Sequence, residues 1–204
     1  MPTAFQKELV TLAHRLADLS DLVASALEEA TRSILESDHT LGGRAREQAG
    51  AAAALGVACE DQACALLALH APPEADVKTV VAAVHIAADL TRMGGLAEEV
   101  AEAPVPLEVR PALERLGRHA VAAARALRDV LLGRDGTALG AAVAAAGAAE
   151  REVRQWVDGR AWPSGAGVAV DLGLLAASYG RFAATAAWAG RQATGFVPAG
   201  PQYA

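Results

Sequence analysis

From Phe5 to Ala30 the apolar residues Phe5, Leu9, Leu12, Leu16, Leu19, Val23, Ala26 and Ala30 recur in steps of three and four. With about 3.6 residues per turn, that spacing lines them along one stripe of a single long helix. A stripe of this length must be covered, which predicts antiparallel helical neighbours. Asp38 opens the next helical stretch, which passes Leu55, Leu66 and Leu69 and ends at Pro72 and Pro73, because proline lacks the amide a helix needs. A third stretch carries Val77, Val81, Val84 and Ala88 on one side and closes at Pro104 and Pro106.

The scheme then returns. Leu113, Leu116, Ala120, Leu127 and Leu131 open a helix, Gly133-Arg134-Asp135-Gly136 reads as a turn, and an alanine-rich helix reaches about Trp156. Gly159 to Gly167, with Trp162-Pro163 inside it, has the composition of a surface loop, and a last helix runs from about Val168 to Thr194 before Gly195 and Pro198. No run alternates β-branched residues, so the expectation is an all-α chain. The two halves match at an offset of 89, pairing Thr91-Arg92 with Gly180-Arg181 and Gly94-Gly95 with Ala183-Ala184. The expected architecture is two pseudo-symmetric antiparallel three-helix bundles, residues 1–103 and 107–195, with a tail at 196–204.

A chain of 204 residues can bury a sizeable core. Its net charge of −6, with Lys7 and Lys78 as the only lysines and no cluster of basic residues, argues against nucleic acid as a partner. No charge-free apolar run approaches the roughly 20 residues that span a bilayer, and MPTAFQKELV lacks the basic end and apolar centre of a signal peptide. A cytoplasmic protein without membrane insertion is expected. Cys59 and Cys64, five apart on one helix, point to different faces and are expected to be buried, unpaired thiols.

Two segments carry a resemblance. Leu66 to Glu102 reads LLALHAPPEADVKTVVAAVHIAADLTRMGGLAEEVAE, and Ser178 to Gly195 reads SYGRFAATAAWAGRQATG. They resemble the PhoU family, cytoplasmic regulators of bacterial phosphate uptake built from two three-helix repeats. The shared pattern is a proline-bounded turn, an Asp-x-Arg/Lys represented by Asp76-Val77-Lys78, an apolar helix, and then Asp-Leu-Glu-Arg-Ile-Gly-Asp. The resemblance implies a PhoU-like fold, dimerisation, and contact with the phosphate transporter's ATPase or a sensor kinase. It also implies metal clusters held by a Glu and an Asp four residues apart in each repeat, since carboxylates at i and i+4 share a helix face. Here those positions are Thr91 and Gly95, then Gly180 and Ala184, and none can supply a carboxylate. The preceding helices offer Gln48, Ala49 and Gly50, then Gly147, Ala148 and Arg151 in place of acids. The expectation is therefore no metal and no cofactor.

The replacements form stripes of small residues: Val84, Ala88, Thr91 and Gly95 on the third helix, Gly173, Ala177, Gly180 and Ala184 on the sixth. They are either seams of close helix packing or the walls of a groove rimmed by Glu98, Glu99, Glu102, Trp188 and Arg191. Taken as a groove, the candidate ligand-binding residues are Thr91, Gly95, Glu99, Gly180, Ala184, Trp188 and Arg191. His85 and Asp89, at i and i+4 beside Arg92, form a weaker catalytic candidate, a carboxylate-oriented imidazole. Arg92 and Arg181 hold matching places in the two repeats and suggest salt bridges between helices. Two functions follow. One is a diverged, metal-independent regulator of phosphate uptake; the other is a repurposed scaffold whose groove binds or converts a small molecule, as a metal-free biosynthetic enzyme would. The sequence leaves open whether the chain is an enzyme.

Overall fold

The computed structural model describes residues 3–101, 103, 105–159 and 166–194. Its helices are α1 (Ala4–Glu36), α2 (His39–His70), α3 (Glu74–Ala101), α4 (Arg110–Leu131, entered through a 3₁₀ turn at Leu107–Val109), α5 (Thr137–Asp158) and α6 (Ala166–Ala193). Among the described residues there is no strand, as the periodicity predicts. Trp162-Pro163, Glu102, Pro104, Gly195, Pro198 and the expected tail at 196–204 lie outside the described residues.

Local chemistry sets the helix ends. Thr3 accepts a hydrogen bond from the Gln6 amide at 3.2 Å while the Gln6 side chain accepts one from the Thr3 amide at 2.9 Å, a reciprocal cap that satisfies two otherwise orphaned donors. Ser37 takes a left-handed conformation (φ 57°) and stops α1. Asp38 then caps α2, accepting from the Thr40 amide at 2.8 Å and hydroxyl at 2.6 Å. The same Asp-x-Thr device returns before α5, where Asp135 accepts from both groups of Thr137. In each case the threonine hydroxyl is the main influence holding the carboxyl below its usual range.

Four helices form a closed inner ring: α1 packs on α3, α3 on α6, α6 on α4, and α4 back on α1. Helix α2 lies over α1 and α3, and α5 over α4 and α6. The α1 stripe ends up buried from Phe5 through Ile34. Polar contacts fix the direction of the α1–α4 crossing: the Ser20 hydroxyl donates to the Ala124 carbonyl at 2.8 Å, Arg128 pairs with Asp21 at 2.6 Å, Arg125 with Glu28, and Arg110 donates to the Ser37 hydroxyl at 2.8 Å. The partners on α4 fall in number from Arg128 to Arg110 as those on α1 rise from Asp21 to Ser37, so the two helices run antiparallel.

A buried hydrogen bond of 2.8 Å joins Thr31 on α1 to the hydroxyl of Tyr179 on α6. Beside it, Gly117 of α4 presses so closely on Thr31 that an added Cβ would lie 2.6 Å from the threonine methyl. Burial pushes the Tyr179 hydroxyl far above its ordinary range, which keeps it neutral.

One sequence expectation needs correction. Cys59 is buried, with its thiol pushed up to about 11 by desolvation, but Cys64 is exposed, because five residues of helix turn it to the outer side of α2. In addition, α2 and α3 are both long and apolar enough to cross a membrane by length and composition. Their apolar surface is alanine-rich rather than free of charge, and more than half of the apolar window of α3 is buried inside the protein.

Candidate functional site

Helices α3 and α6 also run antiparallel. Gln192 near the end of α6 donates to Asp89 at the middle of α3, at 3.4 Å, and Ser178, nearer the middle of α6, donates to Glu99 near the end of α3, at 2.9 Å. Gly95 and Ala184, equivalent positions in the internal repeat, both line the space between these helices. The outer side of the crossing opens into a groove of about 730 Å³, bordered by Asp89, Arg92, Gly95 and Glu99 from α3 and by Arg181, Ala184, Thr185, Trp188 and Arg191 from α6, with Leu96 completing the lining.

Five of the seven ligand-binding candidates, Gly95, Glu99, Ala184, Trp188 and Arg191, line this groove. Thr91 and Gly180 do not. Successive i and i+4 positions drift by about 40° around a helix, enough to separate Thr91 from Gly95. Thr91 turns to α2, where its hydroxyl occupies the place a side chain on Gly56 would take, 2.1 Å from an added Cβ. Gly180 is filled from the other side: the Glu150 carboxylate of α5 lies 2.1 Å from an added Cβ. The small-residue stripes are thus packing seams at Thr91 and Gly180 and open space at Gly95, where nothing lies within 4 Å of an added Cβ.

The charges in the groove are organised by pairing. Asp89 is only 6% exposed and is held by Arg92 at 2.9 Å and by Gln192, so its charge is shielded from solvent. Arg92 itself is two-thirds exposed. Arg181 crosses to Glu99 at 3.2 Å and also donates to Ser178 at 3.0 Å, so it ties α6 to α3, whereas Arg92 pairs within its own helix. Arg191 lies 5.0 Å from the centre of the Trp188 ring in a cation–π contact, and the indole is 55% exposed. Among the described residues Arg191 has no carboxylate partner.

The imidazole–carboxylate pair does not form. His85 is exposed, and among the described residues no hydrogen bond links it to Asp89, which Arg92 and Gln192 hold instead. In this arrangement Asp89 does not orient His85.

The donors present do not fit the metal clusters that the family resemblance implies. Glu150, the acid nearest the second repeat's ligand positions, is held in an ion pair with Arg154 at 2.6 Å. The retained Asp89 is likewise neutralised by an arginine. Thr91, Gly95, Gly180 and Ala184 contribute no anionic oxygen, so a hard cation would find guanidinium groups where it needs carboxylates. Sequence reasoning missed Glu150, Thr185 and Leu96. Glu150 had a visible signal, since it is an acid on the alanine-rich helix with an arginine four residues later.

Comparison with known proteins bears on the whole chain. Residues 16–103 match the PhoU domain. The "Phosphate-specific transport system accessory protein PhoU homolog 2" of Mycobacterium tuberculosis is 32% identical over 97% of this chain and 100% of its own length. "Phosphate-specific transport system accessory protein PhoU homolog 1" of Mycobacterium leprae is 32% identical over 97% of this chain and 96% of that protein. The homolog 1 protein of Mycobacterium tuberculosis is 31% identical over the same shares.

Proposed function

The chain belongs to the PhoU family, and we propose that it is an accessory protein of a phosphate-specific transport system, restraining phosphate uptake through contact with other proteins. The observation that carries this reading is similarity along almost the whole chain to mycobacterial proteins named for that role. The partners this role calls for are the transporter's ATPase or a sensor kinase, met in the cytoplasm, with the chain acting as a homodimer and without the family's metal clusters. The biosynthetic-enzyme alternative has no comparable support, because the relatives are named as transport accessories.

The groove between α3 and α6 is the surface we assign to this work, with Gly95, Glu99, Ala184, Trp188 and Arg191 as its contact residues. The direct test is removal of the gene in its own host, followed by radiolabelled phosphate uptake at high external phosphate. Uptake should rise, and expression of the wild-type chain should restore restraint. Uptake that is the same with and without the gene would overturn the reading.

A further inference from the structure

The groove has a length and a polarity that select among ligands. Asp89 and Glu99 are ten residues apart on α3, which at 1.5 Å per residue sets these two carboxylate positions about 15 Å apart along the helix. One end holds Arg92 and Arg191 with the exposed Trp188; the other holds Arg181, shared with Glu99. Between them the floor is Gly95 and Ala184, with open space above Gly95. A single small anion cannot reach both ends. About five residues of extended chain, or three turns of helix, can.

The charge that such a chain would need follows from the pairing. Asp89 offsets Arg92 as Glu99 offsets Arg181, so Arg191, with no carboxylate partner among the described residues, gives the first end the net positive charge of the groove on a chain of net charge −6. The second end is close to neutral, because Glu99 offsets Arg181. Guanidinium groups favour carboxylates, and an exposed indole beside an open floor favours a compact apolar side chain.

We propose that this groove docks an acidic segment of a partner polypeptide, placing its carboxylates against Arg92 and Arg191 and a small aliphatic side chain over Gly95 beside Trp188. The proposal names the kind of partner that the accessory role requires and rests on that role. An acidic segment meets the positive end without confronting an unpaired acid, whereas a basic segment would meet Arg92 and Arg191 directly.

The test uses the purified full-length chain and a fluorescein-labelled octapeptide with glutamates at both ends and alternating leucine and alanine between, compared with the same peptide carrying lysines for glutamates. Anisotropy should show saturable binding of the acidic peptide alone, weakened by raising salt. Arg191→Glu and Gly95→Leu should each weaken it by about tenfold or more, the first by charge reversal and the second by filling the floor. Both positions leave the buried Asp89–Arg92 pair intact, and circular dichroism should show both variants folded.

No saturable binding of the acidic peptide up to about 1 mM, equal binding of the basic one, or binding that both variants leave unchanged would overturn the proposal. Sodium phosphate that binds alone with the same dependence on Arg191 and Gly95 would replace it with a small-anion site. Self-association lost in the same variants would replace it with a contact between copies. Uptake measured with and without the gene separates the two levels. Uptake control without peptide binding overturns the docking proposal alone, and peptide binding without uptake control overturns the accessory role.

Discussion

Gly117→Ala offers a stringent test of the packing, because two opposing effects can be weighed from the structure. Alanine in place of glycine inside α4 favours the helix by about 1 kcal/mol. The new methyl would lie 2.6 Å from the Thr31 methyl and 2.9 Å from its hydroxyl oxygen. Thr31 has no easy retreat: it is 6% exposed, its hydroxyl donates to the Leu27 carbonyl at 2.7 Å, and the same oxygen is bound to Tyr179. Overpacking of this sort costs about 1–3 kcal/mol, and a broken Thr31–Tyr179 contact adds about 1–3 kcal/mol for stranded buried hydroxyls. Net destabilisation should therefore be roughly 1–5 kcal/mol, a fall in melting temperature of about 2–20 °C for a chain of this size.

Gly50→Ala is the control. Nothing lies within 4 Å of its added Cβ, so only the helix gain remains and the melting temperature should rise by about 2–4 °C. Thermal melts followed by circular dichroism read both. In the double variant with Thr31→Ser, which keeps the hydroxyl and removes the methyl, Gly117→Ala should regain part of its loss. A Gly117→Ala protein at least as stable as wild type would refute the claim that this helix crossing is sterically full.

The remaining expectations are smaller. Gly180→Ala should change stability by under about 1 kcal/mol, because the group it meets is the flexible end of Glu150, and chemical denaturation would expose a larger effect. Elemental analysis of purified protein should find well under one equivalent of iron, manganese or zinc; a full equivalent would show that the arginine-paired acids still bind metal. Ellman's reagent should label Cys64 quickly and Cys59 only on unfolding, and equal rates would contradict their placement. Cys59 and Tyr179 both have their ionisation raised in the fold, so the stability linked to Cys59 is lost as pH climbs from about 8.5 towards 11, and that linked to Tyr179 begins to be lost above about 10. Melting temperature should fall over that range, and less steeply in a Cys59→Ala, Tyr179→Phe double variant.

The helices were legible because their determinants are local. The three-and-four spacing of Phe5 to Ala30, the Asp38 cap and the Pro72-Pro73 stop act within a few residues of chain, and the observed boundaries follow them. Periodicity reports which side of a helix is apolar but not what covers it, and the site depends on what covers it. Thr91 and Gly95 read alike in sequence, yet one packs on Gly56 of α2 and the other opens into the groove. Asp89 looked like a partner for His85 four residues away and is engaged by Gln192, more than a hundred residues along the chain. Cys64 misled for a related reason: an apolar neighbourhood in α2 does not imply burial when the helix touches the body along one side only.

The closed ring of α1, α3, α6 and α4 also constrains how the protein is made. On the ribosome α1 is complete long before α4 exists, so the side bearing Ser20 and Thr31 waits for almost a hundred further residues. At 5–20 residues per second that wait is on the order of ten seconds. During it the nascent first half holds one of its apolar surfaces open to solvent or to a chaperone, and the cell must shield that surface until α4 arrives to cover it.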